Sequence, residues 1–126
     1  MWGHGVFHFK NGNYYEGNFI NGSFEGQGIM FFIEIGIYKG HFLNGNLEGL
    51  GRFDFQNGSI YEGDWRENKR HGKGRLIEAD GRTLYNGQWD NDTKHGFGTF
   101  IQKGACIIEG QWKRGSLVEM SNFQTY

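Results

Sequence analysis

A tyrosine followed two residues later by a glycine recurs at a fixed step along this chain. Tyr15, Tyr38, Tyr61 and Tyr85 are 23, 23 and 24 residues apart, and Ile108 holds the same slot 23 residues further on. Gly17, Gly40, Gly63, Gly87 and Gly110 follow at the second position. Phe19, Phe42, Trp65, Trp89 and Trp112 follow at the fourth. A Gly-x-Gly pair completes each unit (Gly26 and Gly28, Gly49 and Gly51, Gly72 and Gly74, Gly96 and Gly98), and Met30, Phe53, Leu76 and Phe100 come two residues later. A step of this size marks a stacked array, in which no unit can bury its apolar face alone.

Inside a unit the period is two. Tyr61, Gly63 and Trp65 share one face of a strand, and Gly72, Gly74 and Leu76 share a face of the next. Between them lie Asn21-Gly22, Asn44-Gly45, Glu67-Asn68 and Asn91-Asp92, residue pairs that suit tight hairpin turns. Asn11-Gly12, Asn57-Gly58 and Asp80-Gly81 supply a second turn before the next unit; FFIEIGIY lacks a clean one, with Gly36 one position late. Each unit is predicted to be a β-hairpin whose glycines leave a groove for the rings beside them.

The predicted organisation is a half unit over 1–14, full units over 15–37, 38–60, 61–84 and 85–107, a half unit over 108–116, and a tail or cap over 117–126. Nine or ten strands are expected, a ribbon of about 45 Å at ~4.8 Å per strand. The tail is expected to fold back as a cap on the last unit through Leu117, Val118, Met120 and Phe123, with a short helix as one form it can take.

Composition supports an ordered all-β chain. Glycine is 23 of 126 residues and proline is absent, yet aromatics reach 17%, which separates the chain from flexible low-complexity sequence. The net charge of −1 gives no general reason to seek nucleic acid or an anionic membrane. The charge is uneven, however: residues 1–65 carry a net −4 and residues 66–126 a net +3. The single cysteine, Cys106, excludes an internal disulfide and fits a reducing compartment. With no leader-like or membrane-length apolar run, the sequence predicts a soluble intracellular, cytoplasmic protein.

Tyr-x-Gly-x-Trp with Gly-x-Gly at a 23-residue step resembles the MORN family (membrane occupation and recognition nexus repeats) over residues 3 to 115. YEGDW with HGKGRL and YNGQW with HGFGTF carry the resemblance most closely. The units at Tyr15 and Tyr38 depart from it, with Phe for Trp and Glu before Gly26 and Gly49. The resemblance implies an elongated twisted antiparallel β ribbon and a protein-binding scaffold in cytoskeletal, basal-body or ciliary assemblies. It also implies phospholipid binding as an alternative role, and a regulatory array beside an enzyme as another.

Two candidate sites follow. The aromatic face, Tyr15, Phe19, Tyr38, Phe42, Tyr61, Trp65, Tyr85, Trp89 and Trp112, is a core that is also expected to receive a partner helix or extended peptide. Strand pairing at the ribbon ends is a further expected mode of contact. The cluster Arg66, Lys69, Arg70, Lys73 and Arg75 is the candidate anion or acidic-phospholipid site, set against the plainer reading of a solvated charged surface. Gly72-Lys73-Gly74 is not a nucleotide loop, because no Gly-Lys-Ser/Thr sequence or following helix accompanies it. No catalytic constellation, cofactor motif or metal-ligand set is apparent: His71 and His95 share a slot but lack convergent ligands. Cys106 reads as a small apolar filler among Ala105, Ile107 and Ile108.

Overall fold

The structure, a computed structural model, describes residues 2–126. Its strands are β1 (Gly3–His8), β2 (Tyr14–Ile20), β3 (Ser23–Phe32), β4 (Gly36–Leu43), β5 (Asn46–Phe55), β6 (Ile60–Arg66), β7 (Lys69–Ile77), β8 (Thr83–Asp90), β9 (Thr93–Gln102), β10 (Cys106–Lys113) and β11 (Ser116–Thr125). All eleven form one antiparallel sheet in which every strand pairs with its chain neighbours. The eleventh strand is the tail. The tail forms no helix, because Ser116–Thr125 pairs along β10 and gives that strand's outer backbone groups hydrogen-bond partners. The expected apolar cap is reduced to Leu117, which packs against the core, while Val118, Met120 and Phe123 stay exposed. Met120 and Phe123 pair with Gly110 and Ile108 and so lie on the ring face, but β11 is the last strand and no following unit covers them.

One edge of the sheet is closed by five tight turns. Asn21-Gly22, Asn44-Gly45, Glu67-Asn68, Asn91-Asp92 and Arg114-Gly115 each have positive φ at both residues. That is the two-residue turn whose twist matches flanking strands. At the other edge, the irregular FFIEIGIY segment turns through Glu34 at φ 64° rather than through a glycine. A non-glycine residue in this region carries a cost of roughly 1–2 kcal/mol.

Cross-strand register explains the glycines. A row of ten crosses the sheet from Gly5 to Gly110, each glycine opposite the next, and ends at Met120. Tyr61 lies flat in this trough: a β-carbon on Gly74 would strike its ring and hydroxyl, and one on Gly63 would strike the Gly74 backbone. Just past the Gly–Gly pair inside each full unit's hairpin the register shifts, as between Gly63 and Trp65. In β7 that shift is absorbed by extra residues including Gly72 at φ 65°. The bulge frees the carbonyl of Asp64, which accepts a 2.9 Å hydrogen bond from the Tyr61 hydroxyl. Asn18, His41 and Gln88 accept from Tyr15, Tyr38 and Tyr85 in the same way.

The core is a single layer of rings on this face. Each tyrosine meets the aromatic of its own unit and that of the next edge-to-face: Tyr61 lies 5.2 Å from Trp65 and 5.3 Å from Trp89. Each such pair adds about 0.5–1.5 kcal/mol beyond the area it buries. The opposite face carries charged and polar rows. It also carries one apolar row, beginning with Tyr14, Phe31 and Ile37, interrupted by Asp54, and continuing from Ile60 to Ile107.

Candidate functional site

The nine aromatic residues proposed from the sequence as a partner-binding face lie together on one face of the sheet, all at 9% exposure or less. Their rings are closed off by the neighbouring unit and by one further side chain per unit. A partner on this face therefore meets that covering layer rather than the nine rings themselves.

The covering side chain is set by register. The residue paired with each unit's fourth-position aromatic is Phe24, Leu47, Arg70, Lys94 and Leu117 in turn. Phe24, Arg70 and Lys94 each lean over their own unit's tyrosine and the following unit's aromatic. Phe24 stacks on Tyr15 at 4.0 Å and approaches Phe42 edge-on at 6.3 Å. Leu47 is buried in the equivalent place. Arg70 places its guanidinium 4.8 Å from the Trp89 ring centre and 5.9 Å from that of Tyr61. Lys94 places its ammonium 5.3 Å from Tyr85, 5.4 Å from Trp112 and 6.0 Å from Phe100. Such contacts contribute about 0.5–2 kcal/mol as water is excluded.

Charge at these covers shapes the local chemistry. Arg70 is fixed by Asp92, whose carboxylate accepts from the Arg70 backbone N–H at 2.8 Å and from its Nε at 3.1 Å. Lys94 has no carboxylate within ion-pair distance among the described residues. Loss of hydration holds its ammonium below the usual lysine range, opposed by the field of Glu78. Beneath the covers, burial raises the Tyr15, Tyr38 and Tyr61 phenols above their ordinary value and pushes Tyr85 up to about 12.

Trp adds a bond that Phe cannot. The indole Nε1 of Trp65, Trp89 and Trp112 donates to the carbonyls of Gly51, Gly74 and Gly98 in the preceding unit, at 3.3, 3.0 and 3.2 Å. Phe19 and Phe42 leave that link out of the first two units. Between these two units and Trp65 of the next lies an apolar cleft of about 370 Å³, lined by Met30, Phe32, Ile35, Leu47, Phe53 and Trp65 together with Gly45 and Asn68.

The five basic residues separate. Arg70 belongs to the aromatic face, opposite Trp65, whereas Arg66, Lys69, Lys73 and Arg75 lie on the other side. Register interleaves those four with acids. Arg75 contacts Glu62 at 3.4 Å, and the Asp64 carboxylate accepts the Lys73 backbone N–H at 3.3 Å. Arg66 and Lys69 border a polar hollow of about 300 Å³ that also contains Glu67, His71, Asp90 and Asn91. His71 Nδ1 is 3.6 Å from Asp90. Among the described residues there is no cluster of three metal-ligating side chains. Cys106 is half-buried. No helix of the structure is long and apolar enough to cross a membrane.

The matching geometry of successive hairpins is reflected in the family comparison. The model of the MORN repeat matches residues 1–14, 15–33, 38–60, 61–81 and 85–103. The chain belongs to the MORN repeat family. Comparison with curated proteins finds no match. MORN repeats generally mediate protein or lipid interactions, and the family is generally non-catalytic. This MORN array carries those repeats as one open sheet with a ring core on one face.

Proposed function

We propose that this MORN array is a non-catalytic protein-interaction scaffold, and that its partner contacts the aromatic face over the first two units. The observation that carries this reading is the apolar cleft beside Leu47. The same covering layer turns cationic at Arg70 and Lys94, so the face is apolar over the first two units and basic over the next two. A helix or extended peptide that inserts an apolar side chain beside Phe32 and Phe53 fits it. The setting we propose is a larger cytoplasmic assembly of cytoskeletal or ciliary axonemal type, a choice resting on family resemblance alone.

Ile35 is exposed at the mouth of the cleft, so Ile35→Asp alters the contact without emptying the core. Affinity purification from the native cell, followed by mass spectrometry, should show chains that co-purify with the wild type and are lost with Ile35→Asp. Identical recovery with both proteins would remove this site.

A second reading, binding of acidic phospholipid, has one observation in its favour: Arg66, Lys69 and Lys73 are exposed on one face with no carboxylate at ion-pair distance. It predicts co-sedimentation with vesicles containing phosphoinositide that Lys69→Glu/Lys73→Glu abolishes. A third reading, regulation of an enzyme on another chain, predicts an enzyme among the co-purifying proteins.

A further inference from the structure

The face opposite the ring core carries an apolar stripe that lies outside that core. Ile60, Ile77, Leu84, Ile101 and Ile107 occupy successive strands β6 to β10, each directly opposite the next. All five are half-buried, and the single sheet lays no second layer over them. The neighbouring row on the same face is polar: Glu62, Arg75, Asn86, Thr99 and Glu109. At one end the stripe is stopped by Asp54, which faces Ile60 and pairs with Arg52 at 2.8 Å.

The shape of the stripe selects its occupant. It is one residue wide and, at ~4.8 Å per strand, about 19 Å long. A second copy stacked sheet-on-sheet would cross at about 30°, so two stripes would overlap only near the crossing. The Glu62 and Arg75 rows would be buried with them, at a desolvation cost. A stripe this narrow also offers far less than the ~800 Å² per partner of a standard interface. An added extended segment would run along the strands and touch the stripe at one residue. A helix laid across the strands meets it once per turn, because its ~5.4 Å pitch nearly equals the strand spacing. The mismatch is about 0.6 Å per strand, so roughly four turns stay in step.

We propose that this stripe is a second docking surface, for an amphipathic α-helix of a partner protein lying across β6 to β10 with one apolar ridge on Ile77 and Leu84. It is independent of the cleft on the aromatic face, and the two together let the array bridge two partners.

The test uses the full chain and a designed peptide of about five helical turns, with leucine along one ridge and lysine and glutamate alternating elsewhere. The control is its scrambled isomer. Chemical-shift mapping on the wild type should show the ridged peptide moving the resonances of Ile60, Ile77, Leu84, Ile101 and Ile107, and the scrambled peptide moving none. Ile77→Thr and Leu84→Thr keep strand-compatible residues and should each weaken the peptide at least tenfold, with Ile35→Asp leaving it unchanged. No binding, equal binding of the scrambled peptide, or shifts confined to the aromatic face would overturn the proposal. So would a wild-type dimer in analytical ultracentrifugation that Leu84→Thr dissolves, since the occupant would then be a second copy.

Discussion

The first two full units and the next two share a backbone and differ in what covers it. Both pairs lay a tyrosine in the glycine trough and bond its hydroxyl to a bulge carbonyl. The earlier pair then uses Phe19 and Phe42 in the row and Phe24 and Leu47 as covers. The later pair uses Trp65 and Trp89 with Arg70 and Lys94. The later units are tied to their predecessors by an indole bond and, at Arg70, by a buttressing carboxylate. The earlier ones border an apolar cleft. The repeat thus separates two duties: trough and bulge hold the architecture, while the fourth-position aromatic and its cover decide how open the surface is.

Raising the pH tests the shared part most severely, because all four tyrosines act together. Each phenol's folded pKa lies above its unfolded value of 10.0. Below pH 10 both states hold the proton and the contribution is intact. Above it the unfolded chain ionises first, so stability declines as pH climbs towards and through the folded values. Thermal melts should lose melting temperature steeply between about pH 10 and 12, and Tyr85→Phe should make the loss shallower. A flat profile would mean that the trough does not exclude water.

Emptying the row comes next. Phe42→Ala and Trp89→Ala should each cost about 3–5 kcal/mol in urea denaturation. Trp89 is expected to cost more, since the Gly74 carbonyl also loses its donor. Equal losses would show that the indole bond adds nothing.

Filling the trough should affect both halves alike. Gly51→Ala and Gly74→Ala each drive a methyl into a tyrosine ring, an overpacking of about 3 kcal/mol. A clear difference between them would show that the two halves do not share one frame.

The smallest effects concern the covers. Phe42→Trp should place an indole N–H near the Gly28 carbonyl and stabilise by about 1 kcal/mol. Arg70→Leu exchanges a cation–π cover for the apolar one found at Leu47, and should shift stability by no more than about 1 kcal/mol. If Arg70→Leu also opens the later units, binding of an apolar reporter dye should rise.

Much of the frame was legible because it depends on side-chain size at fixed spacing. The tyrosine and glycine slots demanded a hairpin array before any coordinate, and Asn-Gly pairs marked turns through their tolerance of positive φ. The tail is ambiguous in sequence because Leu117, Val118, Met120 and Phe123 suit a helix nearly as well as a bulged strand. Its fate was decided by the free edge of β10. The basic cluster was read as one patch because its members are close in sequence, yet alternation and the bulge at Gly72 send Arg70 to the opposite face from Lys69 and Lys73. The back stripe had a signal that went unused. The residue before each repeat tyrosine, or before Ile108, is apolar in every unit: Tyr14, Ile37, Ile60, Leu84 and Ile107.

By itself the sequence determined that tyrosines and glycines at a 23-residue step must build stacked hairpins, because no other arrangement gives each ring a neighbour without a β-carbon. Only the tertiary structure decided which side chains from different strands meet. Arg70 lies over Trp89 and Lys94 over Trp112, and Ile77 faces Leu84, through inter-strand register. Register is fixed by the Gly–Gly pairs and bulges acting across the sheet, and it sets distances that linear spacing does not contain.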